Sequence, residues 1–83
     1  MVDSSIVTLT DKNDVAIGDF EIPIKITVKE LQNKLVAMLK AMDCEKYEGL
    51  EVLEIEYQGD ILSEDDTLYQ NAVWDGSIVK LVY

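Results

Sequence analysis

Residues 54–83, EIEYQGDILSEDDTLYQNAVWDGSIVKLVY, contain two alternating apolar segments separated by turns. Residues 52–57 alternate strictly and predict a strand, and Gln58-Gly59 predicts the turn after it. Residues 60–62 are long enough only for a stub strand. Asp75-Gly76 predicts a second turn, which leads into a last strand. The side chains predicted to face the core from the two longer strands are Leu53, Ile55, Tyr57, Val79, Leu81 and Tyr83.

The segment between the stub and the last strand, residues 63–73, is irregular. Its first part, Ser63–Asp66, is acidic and predicts a turn. Leu68 and Val73 are the apolar positions that would hold the rest, in one short helical turn. The segment is too broken for a regular helix and too irregular for a strand, so we expect a connection.

The upstream residues have the pattern of a hairpin. Residues 5–10, SIVTLT, alternate and are β-branched, residues 11–14, DKND, predict a turn, and residues 15–23, VAIGDFEIP, predict a returning strand. Ile17 breaks the alternation just before Gly18, which indicates a bulge. The side chains predicted to face the core are Val7, Leu9, Phe20 and Ile22.

Residues 26–42, ITVKELQNKLVAMLKAM, predict an amphipathic helix. Thr27 followed by Glu30 is a capping box, and Ile26 with Leu31 has the spacing of a hydrophobic staple. The two methionines of this segment could offer an adaptable binding surface, but their helical spacing favours the core. The predicted buried face consists of Val28, Leu31, Leu35, Met38, Leu39 and Met42.

The order of these elements predicts the fold class. Residues 43–51 read as a polar loop, so the chain runs hairpin, helix, strand, stub, strand, a ββαββ order of the main strands. One amphipathic helix packed across one mixed sheet is a two-layer α+β architecture. A chain of 83 residues has room for one core, and we expect one domain over residues 1–83.

Composition excludes several classes of partner. The chain has 17 acidic and 7 basic residues and a net charge of −10, which disfavours nucleic acid and anionic membrane surfaces. Its apolar runs are far shorter than the roughly 18 residues of a membrane-spanning helix, so direct membrane insertion is not expected. The N-terminus MVDSSIV lacks the pattern of a signal peptide, and the single Cys44 suits a reducing compartment. We therefore expect a cytoplasmic protein.

The chain offers little that could perform catalysis or bind a cofactor. It has no histidine, and Cys44 has no predicted base beside it, although Lys46 is near in sequence. Residues 11–18 lack the ligand spacing of a calcium loop, and residues 63–66 read as a charged turn. We expect no catalytic residue, no metal site and no cofactor, and we interpret these acidic groups as solvated surface.

The whole chain resembles ubiquitin-like β-grasp domains. Its second half has their strand, glycine turn, irregular passage and final strand, and the Thr-capped helix after a hairpin matches the first half. The most specific part is Thr67-Leu68, followed by Val73 and then by residues 75–77. The resemblance implies that residues 63–73 carry the chain to a central last strand lying parallel to the first.

Within that superfamily the chain is most similar to small bacterial proteins of the YukD/EsaB type. The similarity rests on the compact acidic chain, the YQGDIL turn at residues 57–62, the VWDG motif at residues 73–76 and the stop at the end of the last strand. Such proteins accompany type VII secretion systems, which export small WXG-motif helical hairpins. The resemblance implies a non-enzymatic accessory or regulatory module. Its implied partners are the membrane ATPase, pseudokinase-like or other subunits, so it would lie peripheral to a membrane complex.

Two alternatives follow from the same resemblance. Conjugated ubiquitins and sulfur carriers end in a flexible Gly-Gly tail, whereas this sequence ends KLVY with no glycine after Gly76. We therefore expect no covalent conjugation, and a protein modifier or sulfur carrier would need a tail that is not seen. The chain could also be the N-terminal domain of a longer membrane secretion subunit.

The candidate protein-binding surface is the outer face of the predicted sheet. In ubiquitin the corresponding face carries an aliphatic patch that receptors bind, and the resemblance places Glu56 at its central position. Ile78 and Val82 flank Lys80 on the last strand and form the one exposed apolar cluster that the pattern predicts. They could instead be ordinary strand formers on a solvated face. Trp74 either caps the core or stands exposed as an interface anchor.

Overall fold

The computed structural model describes residues 3–83 and contains five strands and one helix. The elements are β1 (Ser4–Thr10), β2 (Ala16–Pro23), α1 (Val28–Met42), β3 (Glu54–Tyr57), β4 (Asp60–Ile61) and β5 (Ile78–Val82). The strands form one mixed sheet in the order β2-β1-β5-β3-β4. β5 lies in its centre, parallel to β1 and antiparallel to β3. The predicted α+β architecture with a central last strand is confirmed.

The bulge predicted in β2 is present. The register pairs Leu9 with Gly18 and Thr10 with Ala16, which leaves Ile17 as the extra residue. The chain comes close to the Phe20 ring here, since a Cβ on Gly18 would lie 3.2 Å from two ring carbons. Glycine therefore lets the ring pack against the strand at the bulge.

The start of α1 is held by its cap and by the irregular connection. Thr27 Oγ1 accepts a hydrogen bond from Glu30 N–H at 3.2 Å, as the capping box predicts. Two further N–H groups of the first turn are bound by the connection: Val28 donates to Asp66 C=O at 2.7 Å and Lys29 donates to Glu64 C=O at 3.1 Å. The acidic segment thus satisfies helix donors that would otherwise lack partners.

The core lies between α1 and the inner face of the sheet. The predicted helical face is confirmed at Val28, Leu31, Leu35 and Leu39, all of which are buried. Met38 is only half-buried, and the prediction for Met42 is wrong because its side chain is exposed. The loop after the helix explains this, since it sends Tyr47 and Leu50 into that end of the core.

Several boundaries differ from the sequence prediction. β3 begins at Glu54 rather than at residue 52, and Val52 is exposed. β5 ends at Val82, so the inward position predicted for Tyr83 is wrong. The Tyr83 side chain is 37% exposed and packs edge to face on the Tyr47 ring. In the described chain residues 63–73 form turns without a helical turn, yet their predicted anchors are both buried.

Candidate functional site

The outer face of the sheet is the side turned away from α1. Strand alternation places Ile78, Lys80 and Val82 there from β5, while Val79 and Leu81 enter the core. The register sets their neighbours: Ile78 lies beside Thr8 of β1, and Val82 lies beside Glu54 of β3. Across the centre of the face, one row runs Thr10, Lys80, Glu56 and Ile61.

An ion-pair cluster occupies that central row. Lys80 Nζ lies 3.0 Å from Asp14 Oδ1 and 3.6 Å from Glu56 Oε2. The hydrogen bond to Asp14 is the main cause that raises the pKa of Lys80 above its ordinary value; desolvation opposes it, and the charges of Asp14 and Glu56 add to it. Thr10 Oγ1 is buried in this row without a hydrogen-bond partner among residues 3–83. The positive charge of Lys80 is therefore balanced by two carboxylates, and the centre of the face is polar.

Exposed apolar residues lie on β1, at the start of β5 and in the turn before β5, and we call Ile6, Ile78 and Trp74 the apolar strip. Ile78 is 64% exposed, Ile6 is 53% exposed and Trp74 is 48% exposed. Gly76 N–H donates to Ile6 C=O at 2.9 Å, so the residue beside Ile6 on the β5 side is a glycine. A glycine has no side chain that could cover Ile6. The strip therefore lies open along the line between β1 and β5.

The turn that carries Trp74 is held by hydrogen bonds. Asp75 Oδ1 accepts from Ile6 N–H at 2.8 Å, which joins the turn to β1. Ser77 Oγ accepts from Trp74 N–H at 3.1 Å, and Ser77 N–H donates to Trp74 C=O at 3.0 Å. Trp74 is thus presented from a fixed backbone, which lowers the entropy that would be lost on binding.

A second exposed aromatic residue supports Trp74. The Tyr69 ring meets the indole edge to face, with centroids 5.5 Å apart at 90°. Lys25 Nζ lies 5.2 Å from the centre of the Tyr69 ring and 3.3 Å from Asp3 Oδ1. The aromatic pair extends the exposed apolar surface beyond Trp74, and the lysine beside Tyr69 is shared with an acid.

The five residues of the predicted surface do not form one patch. Ile78 and Trp74 belong to the apolar strip, whereas Val82 is half-buried on the far side of Lys80, beside Glu54. Lys80 and Glu56 form the ion-pair cluster between them. The two aliphatic side chains predicted to act together are therefore separated by charge. Trp74 stands exposed rather than covering the core.

The structure adds residues that the sequence reasoning missed. Ile6 could have been found, because Val7 and Leu9 face the core and alternation turns Ile6 outward. Ile61 lies beside Glu56 on the short β4 and is half exposed. Tyr69 lies in the irregular connection, where no periodic pattern assigns a face. Its approach to Trp74 depends on long-range packing.

Features suited to catalysis or membrane insertion are scarce in the described chain. Cys44 is exposed after the helix, and the ammonium of nearby Lys46 lies 5.3 Å from the centre of the Tyr47 ring. Residues 3–83 hold no group of three or more potential metal ligands arranged around one point. Over the same residues, no helix has the length and apolar character required to cross a bilayer.

Comparison with known proteins places the chain in a family. Residues 6–81 match the family described as "WXG100 protein secretion system (Wss), protein YukD". The chain belongs to the YukD family. The resemblance drawn from the sequence is confirmed, and with it the link to type VII secretion. No individual curated protein matches the sequence.

Solved structures related to the YukD family chain share its fold. The ubiquitin-like domain of the type VII secretion protein EccD1 of Mycobacterium tuberculosis has 20% identity and a TM-score of 0.75, with 100% of both chains covered. The EccD5 ubiquitin-like domain of Mycobacterium xenopi has 16% identity and a TM-score of 0.73, covering 96% of this chain and 93% of the other. At such identities the likeness establishes the ubiquitin-like β-grasp fold.

A further match lies inside a larger assembly. A chain of the MycP5-free ESX-5 inner membrane complex has 17% identity and a TM-score of 0.75 over 96% of this chain. The matched region is 21% of that longer chain. A ubiquitin-like domain of this shape thus occurs as one part of a membrane secretion complex.

Proposed function

We propose that this YukD family chain is a non-enzymatic cytoplasmic module that docks on a subunit of a type VII secretion system through the outer face of its sheet. The observation that carries the proposal is the apolar strip beside a neutralised lysine. Ile78, Ile6 and Trp74 are large and exposed, although the inward side chains of β1 and β5, such as Leu9 and Val79, are fully buried. The module would act as one domain and would bind without covalent conjugation.

The strip has the composition of a binding anchor. Trp and Tyr are enriched among the residues that dominate binding energy, and a tryptophan on a rigid turn loses little entropy when it is covered. Burial of an aliphatic side chain such as Ile78 contributes about 1.5–3 kcal/mol. These anchors are sufficient for a small interface without help from the half-buried Val82.

The charge around the strip favours a basic partner surface. Glu21 lies opposite Ile6 in the register of β1 and β2, and Asp19 lies opposite Thr8. The cluster of Lys80, Asp14 and Glu56 contributes two acids and one base. With a net charge of −10 on the chain, complementarity would mainly raise the association rate and the specificity.

The proposed partner is a cytoplasmic part of the secretion machine, such as its membrane ATPase or a pseudokinase-like subunit. The module would then be peripheral to a membrane complex. The matched domain in the ESX-5 complex favours a second candidate, in which the chain is the ubiquitin-like part of a longer membrane subunit. The reading frame that encodes the chain separates these two candidates.

A pull-down from the native host tests the docking face. The tagged protein would be recovered from detergent-solubilised cells beside Ile78→Asp and the matched control Val15→Asp, since Val15 is 60% exposed and lies outside the strip. We expect secretion subunits to be recovered with the unchanged protein and with Val15→Asp. They should be lost with Ile78→Asp. Equal recovery with all three proteins contradicts the proposed face. Adducts that survive denaturation contradict non-covalent action.

A further inference from the structure

Residues 51–53 continue the line of β3 without joining the sheet. β3 begins at Glu54, which pairs with Val82, the last residue of β5. Within the described part of the chain, no backbone hydrogen bond involves any of the three residues 51–53. Backbone N–H and C=O groups that lack a strand partner are the groups with which an added strand pairs.

The pairing of β3 shows which way the Val52 backbone groups point. Leu62 N–H donates to Ile55 C=O at 2.8 Å, so the backbone groups of Ile55 face β4. Because these groups alternate sides along a strand, those of Glu54 and Val52 face the β5 side. Glu54 has Val82 there, whereas no residue of the described chain pairs with Val52. Val52 therefore offers one donor and one acceptor at an open strand position.

That position opens into a groove of about 440 Å³. Tyr47 and Leu50 form its buried wall, and Val52 at its edge is 73% exposed, the highest value among the large apolar side chains described. The Tyr47 and Tyr83 rings meet edge to face at 5.9 Å. Burial is the main cause that raises the pKa of Tyr83 to about 12, with hydrogen bonding to Tyr47 next. The groove therefore has a partly dehydrated, mainly apolar lining.

The surroundings of the groove are acidic. Residues 43–54 carry five acidic side chains and one lysine, a net charge of −4. The lysine, Lys46, directs its ammonium at the Tyr47 ring. Glu51 lies in the groove lining itself, and Glu54 lies two residues after Val52. A second copy of this chain would bring a further net charge of −10, so self-association is electrostatically disfavoured.

We infer that residues 51–53 and the adjoining groove form a second docking site, which binds an extended basic segment of a partner protein. The segment pairs with the free backbone groups of Val52, as in recognition by strand addition. An apolar side chain of the segment enters the groove between Tyr83 and Leu50, and Lys or Arg side chains on either side meet Glu51 and Glu54. Backbone pairing provides affinity, and the groove and charges select the partner.

This site is distinct from the apolar strip. The strip lies at the start of β5, around Ile78, and the groove lies at its end, around Tyr83. Ile78 and Tyr83 are five residue steps apart, a distance of about 17 Å at 3.3–3.4 Å per residue. The two sites could be occupied together, which would let one module hold two components of an assembly.

Peptide binding followed by NMR tests the inference on the full chain. The probe is a nine-residue peptide that alternates Lys and Val, and its control is a peptide of the same composition with all the Lys residues first. At about ten times the dissociation constant of the probe, exchange of the Val52 amide should slow about tenfold. Chemical-shift changes should centre on residues 47–53 and Tyr83, and the control peptide should give no protection.

Two variants and a control variant separate this site from bulk charge and from the apolar strip. Val52→Asp adds an acid, so a purely electrostatic attraction would strengthen, whereas loss of the apolar contact should weaken peptide binding about tenfold or more. Ile78→Asp and Val15→Asp should bind as the unchanged protein does. Thermal midpoints check that all variants fold, as expected for exposed positions.

Four results overturn the inference. The first is a set of chemical-shift changes spread over the acidic surface, with no slowing of amide exchange at Val52. The second is unchanged or tighter binding by Val52→Asp. The third is protection of Val52 without peptide that rises with protein concentration, which would show that a second copy fills the groove. Loss of peptide binding in Ile78→Asp would also overturn it, because the strip and the groove would then be one site.

Discussion

The inner and outer faces of β5 carry similar aliphatic side chains in opposite environments. Val79 and Leu81 are fully buried between the sheet and α1, whereas Ile78 is mostly exposed and Val82 is half-buried. The inner face continues across β1 and β3 through Leu9 and Ile55, also fully buried. On the outer face, the level between Ile78 and Val82 is occupied by the Lys80 ion pairs.

This difference separates stability from binding. An inner side chain contributes by excluding water and filling the core, so its removal leaves a cavity. An outer side chain such as Ile78 has no comparable packing to lose. Its exposure costs free energy only until a partner covers it. The following predictions test whether the two faces can be changed independently.

The largest expected effect is on the inner face. Leu81→Ala should lower the free energy of unfolding by about 2–5 kcal/mol, through lost transfer energy and a new cavity. A chain of this length has roughly 4–12 kcal/mol in total, so the variant should lose a large part of its stability. Urea denaturation followed by circular dichroism measures the change. Ile78→Ala is the matched control and should stay within about 0.5 kcal/mol of the unchanged protein.

The next effect is on binding rather than on folding. Ile78→Asp should weaken capture of the secretion partner at least about tenfold, because a carboxylate replaces an apolar anchor, while the thermal midpoint stays nearly unchanged. Quantitative pull-down and differential scanning calorimetry measure the two quantities on one preparation. A large fall in the midpoint would place Ile78 in the core and remove the distinction between the faces.

A smaller effect is expected at the one unpartnered hydroxyl in the central row. Thr10→Val replaces a buried oxygen that lacks a hydrogen bond with a methyl group of similar shape. The variant should be between neutral and about 1 kcal/mol more stable, because no hydrogen bond is lost and a desolvation cost is removed. Urea midpoints with unchanged slopes would report this. Destabilisation by more than about 1 kcal/mol would mean that the hydroxyl is satisfied in solution.

The smallest effect is expected from the ion pairs. Lys80→Met should cause a slight loss of stability at low salt that disappears at about 1 M salt, where exposed charges are screened. Because the pKa of Lys80 is raised in the folded state, its ion pairs stabilise the fold fully below about pH 10.5, the ordinary pKa of lysine. This contribution is lost as the pH rises through the folded-state pKa of Lys80. The midpoint difference between the two proteins should therefore shrink above about pH 10.5. A midpoint difference that persists above this pH would show that packing of the lysine stem, and not its charge, causes the loss.

Much of the fold follows from alternation and caps in the sequence. The inward positions Val7, Leu9, Val79 and Leu81 are confirmed, as are the Thr27 cap and the bulge at Gly18. Each depends on residues close together along the chain. Alternation and helical spacing predict which face of an element a side chain lies on. They do not predict whether a neighbouring element covers that side chain. Met42 and Tyr83 were therefore assigned to the core although the loop after α1 and the end of β5 leave them exposed.

The candidate site was less predictable for the same reason. The outer position of Ile78 followed from alternation, but its separation from Val82 depends on Asp14 reaching Lys80 from the β1–β2 turn. The contact between Tyr69 and Trp74 depends on how the irregular connection packs. The free backbone of Val52 depends on where the pairing of β3 begins. Such contacts are set by register and packing between elements, which no local pattern encodes.

Site-specific photo-crosslinking in the native host tests directly whether Ile78 contacts a secretion subunit. Benzoylphenylalanine would replace Ile78 in one strain and the equally exposed Val15 in another, and ultraviolet light would be applied to intact cells. Docking through the outer face predicts that position 78 crosslinks to a type VII secretion subunit and that position 15 does not. Crosslinks to that subunit from position 15 alone, or from neither position, would contradict docking through the outer face of the sheet.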